Sequence, residues 1–327
     1  MPAPRAVALL SGGLDSALAV RLVQREGVEV VGLHLSAPTA CRADARAVAD
    51  DLGIALEVRA KGEEFLRLLR APRHGYGRHM NPCLDCRAFM FRRADAYLRE
   101  LGGDFLVTGE VLGQRPMSQT RAAIERIERD SGLERRVLRP LSARLLPPTL
   151  AEARGWVRRE AMLAISGRGR HEQLALAERL GVRRFESPGG GCLLTDAAFS
   201  ARLRDYFGHV GAPDMRLDDV ELLAIGRHVR VADDLKLVVG RREAENRRLA
   251  AFVSAERWLL EPADFRGPSV LVCGGRSAAA LAHAAEQLLA HAEAPPGARA
   301  RVVTAAGEET LRLADCLPIP VAPAAGA

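Results

Sequence analysis

The stretch Ala6-Val7-Ala8-Leu9-Leu10-Ser11-Gly12-Gly13-Leu14-Asp15-Ser16 decides the fold. An apolar run over residues 6–10 ends in Ser-Gly-Gly and an amphipathic stretch over residues 16–24 follows, the pattern of strand, tight loop and helix. Two adjacent glycines let the backbone approach a pyrophosphate, the N–H groups of the helix start point at it, and Ser11 and Ser16 add hydroxyl donors. Asp15 is placed to hold the magnesium that accompanies ATP. A glycine turn capped by Ser or Asp would suit any strand–helix junction, but this loop is the first of the sheet and joins both glycines to Asp-Ser. It matches neither G-x-x-x-x-G-K-[ST] nor G-x-G-x-x-G.

Working outward, the pattern repeats. Residues 29–35, 55–59 and 104–108 read as strands, and residues 42–52, 63–69 and 84–101 as helices. Strands alternating with helices at this spacing specify a parallel, doubly wound α/β sheet. Between residues 110 and 200 lie irregular loops (GEVLGQRPMSQT, LRPLSARLLPPT, SGRGRH, SPGGGCLLT), and long loops in a compact domain are usually functional. Residues 211–213 read as a linker, so a nucleotide domain at 1–210 and a smaller α+β domain at 211–327 are expected. The second has strand candidates at 220–225, 229–231, 235–239 and 270–273, helix candidates at 241–253 and 277–292, and a tail rich in Pro and Ala.

Bulk properties bound the function. Of 327 residues, 48% are hydrophobic and 27% charged, as in a folded globular protein. No apolar run is long enough to span a bilayer, and the opening MPAPRAVALL is too short for a signal sequence, so no membrane and a cytoplasmic location are expected. There the six cysteines would be reduced. Residues 1–205 carry 33 basic and 25 acidic side chains, and residues 206–327 carry 14 and 16. The basic excess is thus in the first part and almost entirely Arg, the residue suited to bidentate phosphate contacts.

Cys83-Leu84-Asp85-Cys86 enters a helix, where thiol pKa values fall. A lone CxxC is a redox pair, half of a zinc site or part of an iron–sulfur site, and no second CxxC or HxxxH completes a zinc set. Cys192, in Gly189-Gly190-Gly191-Cys192, is the best further ligand, against the plain reading of a buried thiol beside a flexible turn.

Ser11–Ser16 resembles the SGGxDS loop of the PP-loop ATPases, which split ATP between the α and β phosphates. The resemblance implies a Rossmann-like fold of the adenine nucleotide alpha hydrolase (HUP) class. ATP would then be held by Ser11, Gly12, Gly13, Asp15 and Ser16, with His34 and Leu35 bordering the adenine and Thr108, Gly109 and Glu110 facing the nucleotide or the base being modified. Asn81–Cys86, GEVLGQRPMSQ, RPLSARLLPPT and GGCLLTD together resemble the 4-thiouridine-synthetase-like group. That likeness implies ATP-dependent tRNA thiolation, with Asp15 and Cys192 as catalytic residues and sulfide or a persulfide carrier as sulfur donor. Cys83, Cys86 and Cys192 resemble the three-cysteine set that holds a [4Fe-4S] cluster in iron–sulfur-dependent thiolation enzymes. The rival chemistry makes Cys192 a persulfide carrier and one CxxC thiol its resolving partner. Residues 220–248 resemble the RNA-binding domain of the NFACT proteins, with Arg227, Arg230, Lys236, Arg241, Arg242, Arg247 and Arg248 as RNA contacts. A denser run, Arg154, Arg158, Arg159, Arg168, Arg170 and His171, is expected to orient tRNA. The alternatives are PP-loop chemistry on a small metabolite and nucleotide-gated RNA binding without catalysis.

Overall fold

The computed structural model describes residues 3–39, 44–186 and 192–317. Cys41, the glycine stretch ahead of Cys192 and the Pro/Ala tail lie outside the described residues. The chain divides into two compact units, Met1–Ser200 and Ala201–Ala327. The division falls inside a helix, and residues 211–213 enter a short 3-10 turn, Ala212–Asp214.

In the first unit the strands are β1 (Arg5–Leu9), β2 (Glu29–Ser36), β3 (Leu56–Ala60), β4 (Phe105–Thr108) and β5 (Val137–Leu138), paired in parallel in the order β3-β2-β1-β4-β5. Its helices of eight or more residues are α1 (Leu14–Gln24), α2 (Ala45–Leu52), α3 (Gly62–Arg70), α4 (Cys83–Glu100), α5 (Arg121–Ser131) and, after the short α6 (Leu150–Ala153), α7 (His171–Leu180). β1 is buried on both faces, which is why it reads as a continuous apolar run. Ala6 and Ala8 pack with Ala17 and Leu18 of α1, while Val7 and Leu9 pack with Phe91, Ala94 and Leu98 of α4. Truncating Phe91, which is fully buried, to Ala would cost about 3–5 kcal/mol. The strand order reverses at β1, so the carboxyl ends of β1 and β4 face a shared crevice, the position where open α/β sheets bind ligands.

The irregular region after residue 110 contains three helices, α5, α6 and α7, that the sequence reading did not assign. α5 starts at Thr120, whose hydroxyl accepts from the Ala123 amide at 3.2 Å, and stops at Gly132, whose φ is +69°. That Thr and Gly pair was the available boundary signal.

The second unit contains α8 (Ala197–His209) from the division onward, then α9 (Leu217–Leu222), β6 (Arg227–Ala232), β7 (Leu235–Val239), α10 (Glu243–Ala250), β8 (Arg257–Pro262), β9 (Val270–Cys273), α11 (Ala278–Leu289), β10 (Arg299–Thr304) and β11 (Gly307–Arg312). Six strands form an antiparallel sheet in the order β11-β10-β8-β9-β7-β6. Alternation sorts its faces: Leu237, Val239, Val270 and Val272 pack with Ala284 and Leu288 of α11, and Val238 and Leu271 pack with Leu222 and Leu249.

Residues 220–225 are not a strand; they end α9 and follow it. Val220, Leu223 and Ile225 are all buried, and a short apolar run does not distinguish helix from strand by period. Asp218 and Asp219 in the first turn of α9 suit its positive end. β8, β10 and β11 were missed because charged residues interrupt their pattern. The charges pair across strands, with Arg301 2.5 Å from Glu261 and 3.6 Å from Glu308.

Candidate functional site

At the end of β1 the Leu10 amide still donates to Leu33 at 2.9 Å, and the chain then turns through Gly12, whose φ is +81°. The Ser16 hydroxyl donates to the Gly13 carbonyl at 2.8 Å and accepts from the Ser11 amide at 3.3 Å, so the loop braces itself. α1 begins at Leu14 with no side-chain cap at Gly13, which leaves its first N–H groups open to an anion. Gly109 explains itself by space. A Cβ there would collide with the backbone of Asp15 and Ser16, because the end of β4 lies directly against the phosphate loop.

Ser11, Gly13, Asp15 and Ser16 border a cavity of about 120 Å³ that Leu35, Thr108 and Gly109 also line. His34 is not in the lining; its Nδ1 lies 2.9 Å from the Leu10 carbonyl. The cavity adds Arg87, Gln114, Arg115 and Arg170, of which sequence reasoning had placed only Arg170, and on RNA. Asp15 Oδ2 accepts from Gln114 Nε2 at 2.9 Å and lies 3.8 Å from the Arg170 guanidinium, while Oδ1 is buried without a hydrogen-bond partner among the described residues. An orphaned carboxylate oxygen beside a phosphate loop fits a magnesium ion that takes its other ligands from ATP and water. Beneath the cavity Glu110, 1% exposed, receives Arg139 Nε at 3.0 Å and lies 3.3 Å from Arg87, and Arg139 continues to Glu128.

The cysteines come next to this crevice from separate elements. Cys83 opens α4 after Pro82, and the Cys86 amide donates to the Pro82 carbonyl at 2.8 Å. Lys61, at the end of β3 and 7% exposed, donates to Cys86 Sγ at 3.4 Å and sits 4.4 Å above the Phe65 ring. Cys192 donates to the Thr39 carbonyl at 3.5 Å, and the Met80 amide donates to Leu194 at 3.2 Å, which ties the segment after Cys192 to the one before Cys83. Burial pushes the Cys192 thiol up to about 11, with Cys86 and Cys83 adding to the rise and Lys61 opposing it. Burial likewise raises Cys83, with Cys86 adding, while Arg87 and Arg115 oppose. The three thiols therefore share one electrostatic neighbourhood, and Arg87 and Arg115 belong both to it and to the nucleotide cavity.

Among the described residues no three His, Cys, Asp or Glu side chains stand together as ligands of one metal ion. A cluster makes a different demand, since each thiolate binds its own iron and the sulfurs are spread. Burial and the neighbouring thiols oppose ionisation of Cys83 and Cys192, and together with Cys86 they offer a donor set that suits such a centre, because metal binding removes the protons.

Residues 2–144 match the family described as thiamine biosynthesis protein (ThiI). The first unit carries a PP-loop domain of the ThiI type. Residues 226–318 match the NFACT protein RNA binding domain, so an NFACT-type domain lies in the second unit. Among curated relatives, the tRNA-specific 2-thiouridylase MnmA of Paramagnetospirillum magneticum is 36% identical over 135 residues, covering 34% of this chain and 36% of the relative. That of Syntrophotalea carbinolica is 38% identical over 115 residues, covering 31% and 32%. The chain thus spans about a third of the length of these relatives. A solved 4-thiouridine synthetase in complex with RNA and ATP is similar at 20% identity and a TM-score of 0.39, covering 67% of this chain and 52% of that one. Among the described residues no helix is long and apolar enough to cross a membrane.

The expected basic surfaces are largely neutralised. Arg158 pairs with Glu26 at 2.9 Å and Arg159 with Glu152 at 2.6 Å, leaving Arg154, Arg168 and His171 exposed and Arg170 at the PP-loop. In the NFACT-type domain Arg241 and Arg242 lie near Glu245, Arg247 near Glu243 and Arg248 near Glu221, while Arg230 and Lys236 share Asp205.

Proposed function

We propose that the chain is an ATP-dependent tRNA thiolation enzyme, in which a base carbonyl is adenylated and its oxygen then replaced by sulfur. The observation that carries the reading is that Arg87, next to Cys86 on the helix that Cys83 opens, borders the PP-loop cavity, which supports a shared crevice for activation and sulfur delivery. The MnmA relatives and the RNA-binding family of the second unit support tRNA as the substrate.

The base oxygen attacks the α-phosphorus of ATP and pyrophosphate leaves. The Gly12–Gly13 turn and the open start of α1 hold the departing charge, Asp15 would hold a magnesium ion that supplies further positive charge there, and Arg170 and Arg115 are positioned to neutralise the rest. Sulfide then adds to the activated carbon, the carbon–oxygen bond breaks, and AMP departs with the oxygen. Arg87 is placed to steady the AMP phosphate, since it is held at Glu110 on the cavity floor. Exclusion of water matters here, because hydrolysis regenerates the starting base. Cys83, Cys86 and Cys192 would hold a [4Fe-4S] cluster, which supplies an open iron for sulfide when bound. Lys61 would donate to the Cys86 sulfur. The cluster is preferred because it uses all three thiols, whereas the persulfide route would leave one CxxC thiol idle.

The experiment is product analysis with unmodified tRNA and a sulfide donor. AMP and pyrophosphate in equal amounts are expected; ADP and phosphate would overturn the reading. Absorption and Mössbauer spectra of anaerobically purified protein test the cluster, and a colourless protein active with a persulfide donor removes it.

A further inference from the structure

Residues 71–82 join α3 to α4 and lead into Cys83. They hold two arginines and two histidines and no acidic residue. The segment is irregular but braced at both ends. Asp85, in the first turn of α4, accepts from the amides of Arg73 and His74 at 3.2 and 3.0 Å, and His74 Nε2 donates to Asp130 at 2.6 Å. Farther along, the Gly77 amide donates to the Asn81 carbonyl at 2.9 Å, the Asn81 amide donates to the Arg78 carbonyl at 3.3 Å, and the Asn81 side chain is bonded to Cys83. A loop held in this way is preorganised, so a partner that binds it loses little to ordering.

What the bracing presents is an aromatic ring in a basic setting. Four large hydrophobic side chains are exposed among the described residues, and two of them, Tyr76 and Met117, meet here. Tyr76 is 40% exposed although its hydroxyl donates to the Leu69 carbonyl at 2.6 Å, so the exposed part is the ring. Met117 lies against Gly77, where an added Cβ would stand 2.7 Å from its Cε. The turn that carries Met117 is closed by the Gln119 amide donating to the Arg115 carbonyl at 2.9 Å, and both of these residues border the PP-loop cavity. Arg115 is itself exposed and marks the mouth of the crevice. Neither Arg115 nor the exposed Arg78 is paired with a carboxylate among the described residues, whereas the arginines of α10 are.

We propose that this loop holds an unpaired nucleotide of the tRNA, next to the base being modified, with its base stacked on Tyr76 beside Met117 and its phosphates at Arg78 and Arg115. The inference rests on the reading of the chain as a tRNA thiolation enzyme and says which part of that substrate is gripped beside the crevice. A base that undergoes chemistry leaves its stack. Its neighbour then lacks a stacking partner, and the Tyr76 ring replaces it. Paired bases offer no such face, whereas splayed-out bases stack on aromatic side chains.

Fluorescein-labelled, unfractionated tRNA from cells lacking the gene is titrated with the full chain, and its anisotropy is followed at several salt concentrations. Tyr76→Ala should weaken binding roughly five- to 150-fold, the range for loss of one base–aromatic stack. Tyr76→Phe keeps the ring and loses the tie to Leu69, and it should bind nearly as the native chain does. Arg78→Ala should reduce the salt slope by about one. Tyr76→Phe as weak as Tyr76→Ala would show that the hydroxyl tie, not the stack, matters, and overturns the proposal. So does a Tyr76→Ala chain that loses affinity for a blunt RNA duplex to the same degree, or one that loses ATP affinity in calorimetry, the mark of a collapsed crevice. Native tRNA binding by both Tyr76→Ala and Arg78→Ala removes the loop and leaves the thiolation reading standing. A native chain that binds no tRNA overturns both.

Discussion

The PP-loop crevice and the cavity of about 890 Å³ in the second unit are both polar hollows at a sheet, but they are made in opposite ways. The first is one contiguous turn, Ser11 to Ser16, whose donors are backbone N–H groups and which requires that residue 109 have no side chain. The second is a row of three cations from β6, β7 and β8, with Cys273 of β9 among them, paired with carboxylates of α8 and α9. A site made of backbone is fixed by local sequence, whereas one made of side chains depends on register across the sheet.

The strongest break in this contrast is Gly109→Ala. It should lower ATP-dependent pyrophosphate release about 100-fold or more, the scale of losing a phosphate-stabilising donor, with the fold retained by circular dichroism. Asp15→Asn should match it in rate while leaving ATP binding weaker but measurable. Normal turnover by Gly109→Ala would mean that β4 does not press on the loop.

The crevice also has an assembled floor, which the next substitution probes. Glu110→Gln leaves Arg139 and Arg87 without their carboxylate and should cost about 3 kcal/mol in urea unfolding, as for a broken buried pair. A change below about 1 kcal/mol would show that water already screens the pair.

In the second unit the corresponding probe is acid. His228 is pushed down from 6.5 to about 3 by burial, with Lys236 adding to the effect, so it stays neutral in the folded protein where the unfolded chain takes up a proton. Stability contributed by this group is therefore intact above the unfolded value and is lost as pH falls from 6.5 toward 3. The loss should be on the order of 2 kcal/mol at pH 5 relative to pH 7, and His228→Gln should flatten it. A slope unchanged by His228→Gln would place the acid sensitivity elsewhere. Smallest of all, Arg168→Ala should weaken tRNA binding and reduce its salt slope by about one, since Arg168 is exposed. An unchanged slope would remove Arg168 from the RNA path.

How far the sequence could be read follows from the same distinction. Four of the five parallel strands were legible from strand-like segments alternating with helix periods, and Ser11–Ser16 because its chemistry is consecutive; β5, two residues long, offers no run to read. A joint role for Cys83, Cys86 and Cys192 was an expectation from likeness, whereas Lys61 beside Cys86 was not expected, because nothing in the order of residues brings the end of β3 to the start of α4. Arg87 and Arg115 were overlooked for that reason. The arginine surfaces were read from composition, which counts charges without their partners; Arg158 and Arg159 are tied to Glu26 and Glu152. The error at residues 220–225 came from a short apolar run that tertiary packing turned into helix.

The central claim, that the PP-loop crevice and its cysteines put sulfur on tRNA, is tested most directly by mass spectrometry of tRNA nucleosides from cells with and without the gene. One thionucleoside should vanish in the deletion, return with the native gene, and stay absent with the Cys192→Ser form. Identical thionucleoside profiles in all of these cells would contradict the account.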